Sequence, residues 1–135
     1  MRNSTASLYV RFIVMMILGD NRDQEIERLK LSKNILKLIQ GDFVHEDLEF
    51  RCNKLKYSLE LEEFSPEGID LIPLWEGEYS ITGFYISGSS YKFITYYIDD
   101  IEAKRIIATN ETELIDYLVI QYAEHENELR NLLHQ

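Results

Sequence analysis

The sequence predicts an α+β fold: N-terminal helices, a largely antiparallel sheet of about four to six strands, and a long C-terminal helix. Three observations carry that reading. Apolar residues recur at helical spacing near both ends of the chain, β-branched and aromatic runs fill the middle, and "SPEG", residues 65–68, separates the first two regimes. With 135 residues, 45% of them hydrophobic, the chain is expected to form a single domain, residues 1–135, able to bury a core of its own.

The first apolar run, "FIVMMIL" at residues 12–18, follows Arg2 and Arg11. It is too short to span a bilayer, and no small-x-small cleavage pattern follows it. A buried strand or a helix start is expected there, with residues 1–14 as an extension if translation begins at Met15 or Met16. Helix one is expected in "DQEIERLKLSKNILKLIQG", where Ile26, Leu29, Leu36 and Ile39 share a face and Gly41 is the stop. Early acids and late lysines suit the helix dipole. In "HEDLEFRCNKLKYSLELEEF", Leu48, Cys52, Leu55 and Leu59 step along one helical face, with enough alternation in the second half to leave a strand open. Cys52 falls on that apolar stripe, as a small hydrophobe rather than a reactive thiol.

Past "SPEG" the pattern becomes extended. "IDLIPLW" contains Pro73, which places it at a sheet edge or a bulge. "ITGFYIS" and "YKFITYYI" flank "GSS", a hairpin connection in which Gly88 can take positive φ. "RIIAT" makes a fourth strand. The final helix starts at Asn110, which forms an N-x-x-E pair with Glu113. Its apolar face, from Ile115 to Leu133, could reach about 36 Å in one piece, or break near "EHENE".

Charge is unevenly spread over a net of −10: residues 1–56 carry ten basic and eight acidic side chains, residues 57–135 four and sixteen. Such a balance argues against nucleic acid and against anionic membranes. A basic protein partner would instead be attracted. The single cysteine cannot form an internal disulfide, which fits a reducing, cytoplasmic setting.

The residues suggest no catalysis. His45, His125 and His134 have no ligand partner at metal-binding spacing, "DDIE" reads as a solvated turn, and no metal or cofactor is expected. The glycines match neither a phosphate-binding loop nor a dinucleotide fingerprint, and no nucleophile elbow occurs. The notable feature is aromatic: eight of the sixteen aromatic residues lie between Trp75 and Tyr97. Alternation puts Phe84 and Ile86 on one sheet face and Tyr85 on the other. Both faces are therefore substantially apolar, and one is covered by helices. The other is either covered by the long C-terminal helix or left as a binding surface. Trp75, Glu76, Glu78, Tyr79 and Tyr85 are the expected partner contacts, since Tyr and Trp anchor interfaces.

"IDLIPLWEGEYSITGFYIS", "YKFITYYIDD" and "RIIATNETELIDYLV" together resemble the C-terminal two-thirds of SUKH superfamily domains, over residues 65–122. The Leu-Pro pair and Asn-Gly turn with which those domains begin are absent, which leaves the subfamily open. The resemblance implies an α+β fold and a non-catalytic binding role. Members are largely bacterial immunity proteins that neutralise toxins, some being regulatory scaffolds; no shared site residue comes with it.

The expected function is thus a cytoplasmic immunity protein that binds a basic cognate toxin, such as a nuclease. A regulatory adaptor for a housekeeping partner is the alternative. A small-ligand binder would require a deep Tyr-lined pocket with convergent carboxylates. Leu129, Leu132 and Leu133 would suit a homodimer contact if the end of the last helix were left uncovered.

Overall fold

The structure, a computed structural model, describes residues 22–55 and 66–135. The apolar run at residues 12–18 and the second half of the expected helix two, residues 56–64, lie outside the described residues. Within them an α+β architecture is built from five α-helices and a four-stranded antiparallel sheet.

Helix one divides into α1 (residues 22–28) and α2 (Lys33–Ile39). No glycine or proline marks the break; Lys30 adopts φ 51° at the turn. The cause is tertiary. Ser32 donates its amide to the Glu111 carboxylate and its hydroxyl to the Leu133 carbonyl, while the Asn34 side chain donates to the Leu132 carbonyl. Breaking the helix here lets α2 satisfy the last carbonyls of the final helix, which have no intrahelical partner.

Helix two is also shorter than its periodicity suggests. α3 (Glu46–Arg51) ends at Cys52, whose backbone is extended. Asn53 then pairs with Glu76 through Asn53 N→O 2.6 Å and Glu76 N→O 2.9 Å, so the chain leaves the helix to cover a sheet edge. Cys52 is buried, as its place on the apolar stripe implies.

The sheet runs in the order β1 (Ile72–Glu76), β2 (Ser80–Ser87), β3 (Ser90–Tyr97), β4 (Arg105–Ala108). β1 is an edge strand with a register shift between Pro73 and Trp75, as its proline requires. Its free edge is nevertheless occupied: Arg22 Nε donates to the Pro73 carbonyl at 2.9 Å, and Asn53 bridges to Glu76. All five β1 residues are buried. Gly83 permits this close packing, since a Cβ there would stand 2.5 Å from the Ile72 carbonyl oxygen. The β2–β3 connection is Gly88-Ser89 between paired Ser87 and Ser90, with Gly88 at φ 64°. That left-handed conformation is the one glycine adopts without steric cost.

The helices cover one face. Phe84, Phe93 and Ala108 from the sheet share a core with Ile35, Leu38, Leu48, Leu114 and Leu118. The other face is covered not by the C-terminal helix but by the segments before β1 and after β3: Ile81, Ile94 and Tyr96 pack with Leu71, Ile69, Ile98 and Ile101, the last in a short 3-10 turn.

The C-terminal segment breaks where the acid-rich "EHENE" begins, into α4 (Glu111–Tyr122) and α5 (Glu126–Leu133). Asn110 accepts from the Glu113 amide at 2.9 Å, and Glu113 reaches back to the amide and hydroxyl of Thr109. This is a capping box displaced by one residue. α5 folds back so that Leu129 and Leu133 enter the main core and Leu132 is half-buried. The uncovered end on which the homodimer contact depended is therefore closed off within the chain. No helix among the described residues is long and apolar enough to cross a membrane.

Candidate functional site

A cleft of about 470 Å³ opens at the end of the sheet remote from the β2–β3 turn. It exists because the helical layer stops short. Along β3, Tyr91, Phe93, Thr95 and Tyr97 alternate onto the helix-facing side; Phe93 and Thr95 are buried, but Tyr97 is 60% exposed. Beneath it, the buried hydroxyls of Thr82 and Thr95 are 3.0 Å apart and satisfy one another.

Separate segments supply the walls. α3 brings Phe50 and Arg51, the β1–β2 turn brings Glu78 and Tyr79, β4 brings Arg105, and α4 brings Tyr117 and Tyr122. Phe50 is 81% exposed and Tyr79 63% exposed. The Tyr117 and Tyr122 rings meet edge to face, with centroids 6.3 Å apart. Burial raises the pKa of both, with Arg105 opposing the rise at Tyr117, so both are neutral hydroxyls near pH 7. Cys52 is buried at the end of α3. Burial pushes its own thiol up to about 12, which leaves no thiolate for nucleophilic attack at neutral pH.

The charges are unevenly satisfied. Arg51 lies over the Phe50 ring at 5.1 Å from its centroid. Among the described residues neither Arg51 nor Arg105 has a carboxylate at ion-pair distance, whereas Arg22, Arg28 and Arg130 each have one. Glu78 is the cleft's one carboxylate among the described residues. The tyrosine lining meets half of what a small-ligand pocket would require; among the described residues the convergent carboxylates are not there.

The five expected contact residues do not form one patch. Glu78 and Tyr79 line the cleft. Trp75 is 1% exposed and belongs to the main core, and Glu76 is 8% exposed on the same enclosed strand. Neither side chain offers surface to a partner, because the helical layer and the Asn53 segment enclose β1. Tyr85 is half-buried opposite Lys92 and packs with the cluster on the other sheet face.

A second polar constellation joins α3 to the α4–α5 break. Asp47, almost fully buried, accepts from the amides of Glu124 and His125, both at 3.0 Å, and lies 3.1 Å from His125 Nδ1. His45 caps α3 by accepting from the Asp47 amide at 3.1 Å on Nδ1, and its Nε2 is 3.2 Å from Glu128 Oε1. Burial alone would raise the Asp47 pKa. The hydrogen bonds from His125 and Glu124, with His45 nearby, outweigh it and hold the pKa below its ordinary value. The bond to Asp47 in turn raises that of His125.

His45, Asp47 and His125 each place one potential ligand atom within 4.8 Å of the others, so this is where the described residues could hold a divalent metal. Histidines without ligand spacing along the chain are brought together by folding. Yet the Asp47 oxygens are already committed to backbone and ring donors, an arrangement that fixes the α4–α5 joint without an ion.

Comparison with protein-family models, with curated proteins and with solved structures finds no match.

Proposed function

We propose that this chain is a non-catalytic binding protein that seats part of a protein partner in the aromatic cleft, and that the partner is a toxin it neutralises in the cytoplasm. The observation that carries the reading is the exposure of Phe50, Tyr79 and Tyr97 around one concavity, in a chain that buries its tryptophan. Large aromatic rings left in water at the rim of a cleft are residue types enriched at protein interfaces, and tyrosine is among those that dominate the binding energy there. The toxin assignment draws on the SUKH-like sequence pattern of residues 65–122, and the acidic surface would speed encounter with a basic toxin.

The test is co-expression with the toxin domain encoded immediately upstream, scored by survival and by a pull-down, for wild type and for Tyr79→Ala/Tyr97→Ala. Survival and a stable complex that both fail in the variant support the reading. Killing with no complex for wild type removes the toxin. Survival unchanged in the variant removes the cleft.

A further inference from the structure

The two arginines of the cleft call for an occupant of their own. The chain holds 24 acidic side chains against 14 basic ones, so an arginine on this surface has carboxylates within easy reach. Arg22, Arg28 and Arg130 are paired accordingly, and the two unpaired arginines among the described residues line the same cleft. Against them, among the described residues, stands Glu78 alone, so the described lining carries a local charge of +1 within a chain of −10. At physiological ionic strength charges are screened over about 8 Å. Groups in contact therefore decide what is accepted there, and the distant acids do not.

We propose that Arg51 and Arg105 form an anion clamp that receives an acidic segment of the protein partner, an Asp or Glu carboxylate beside an apolar or aromatic side chain. This deepens the binding reading and rests on the cleft being a binding surface, but not on the partner being a toxin. A guanidinium presents parallel N–H donors that match a carboxylate bidentately. Arg51, lying over Phe50, is partly positioned before the ligand arrives. The rims of Tyr79 and Tyr97 supply apolar area, and the Tyr117 and Tyr122 hydroxyls add neutral donors. The long-range field and the contact chemistry then differ in sign. The acidic chain as a whole attracts a basic partner, while its cleft holds an acidic element of that partner.

The experiment selects random short peptides on the immobilised full chain and measures the winners against wild type and Arg51→Gln/Arg105→Gln. Both arginines are exposed, so the variant is expected to fold, checked by an unchanged thermal midpoint. The expected winners are rich in Asp or Glu, bind the variant about tenfold or more weakly, and weaken as salt rises. Winners rich in Lys or Arg that are blocked by Tyr79→Ala/Tyr97→Ala would overturn the clamp while keeping the cleft as a binding surface. Acidic winners that bind wild type and variant equally would also overturn it. Inorganic phosphate alone displacing every winner at millimolar concentration would reassign the arginines to a phosphate-bearing ligand. No winner from the wild-type selection would overturn the clamp, leaving the co-expression result to decide the binding reading.

Discussion

The junction around Asp47 and the cleft around Tyr79 are both polar clusters that include α3 and the C-terminal segment, but they use their polar groups in opposite ways. At the junction, both Asp47 oxygens accept from backbone or ring donors and both His45 ring nitrogens face a partner. At the cleft, two guanidiniums have no carboxylate among the described residues and three large rings face water. A satisfied buried cluster rigidifies a fold. Unsatisfied groups around a concavity contribute little to folding and remain available to a ligand. The difference separates what holds the chain together from what it can grip.

The sharpest way to break that distinction is Asp47→Ala. Removing a buried acceptor leaves the Glu124 and His125 amides without their partner, at a cost of about 3 kcal/mol in unfolding free energy. Denaturant unfolding should show that loss, while partner binding by the folded fraction stays at the wild-type level. Tyr79→Ala/Tyr97→Ala should do the reverse. Binding should weaken by about 2 kcal/mol, with stability changed by less than about 0.5 kcal/mol. Calorimetric titration alongside the same unfolding curves checks both halves.

A smaller effect is expected at the start of α4, where Asn110→Ala removes the cap on the Glu113 amide. The cost should be about 1 kcal/mol, read as a lowered midpoint in urea without any change in binding.

The smallest effect is the pH dependence of the junction. The pKa of His125 is raised in the folded state above its ordinary 6.5, so its contribution is complete below about pH 6.5 and is lost as pH climbs through the raised value. The pKa of Asp47 is lowered below its ordinary 3.8, so its contribution is complete above about pH 4 and is lost as pH falls through the lowered value. Thermal midpoints measured across pH for wild type and Asp47→Asn should differ most between those limits, converge in acid once Asp47 is protonated, and narrow without closing at higher pH, where the Asp47 carboxylate still accepts from the Glu124 and His125 amides. Parallel curves would remove the junction as their origin.

Much of the fold was legible because local chemistry and tertiary demand agree. Pro73 marked an edge strand, Gly88 marked the hairpin turn, and Asn110 with Glu113 marked a helix start. Where they disagree, the periodicity misleads. Nothing in "ERLKLSKN" announces that Ser32 and Asn34 will cap a helix about a hundred residues away, and Cys52 continues a helical stripe that Asn53 leaves to pair with Glu76. The candidate site was half legible. Aromatic enrichment pointed to the right strands, and Glu78 and Tyr79 fell in the cleft, but composition cannot tell that β1 is enclosed and that Trp75 goes inside. Phe50, Arg105, Tyr117 and Tyr122 could not be grouped with them, since only the fold brings α3, β4 and α4 to the same end of the sheet. The Asp47–His125 pair spans 78 positions and carries no spacing signal at all.

The most direct test of the cleft as the gripping surface is hydrogen–deuterium exchange of the full chain, alone and mixed with the toxin domain used in the co-expression test. Protection concentrated on the end of α3, the β1–β2 turn, the end of β3 and the start of β4, with the Asp47 junction unchanged, is the predicted result. Protection centred on Tyr85 and the opposite sheet face, with the cleft segments unchanged, would contradict the account.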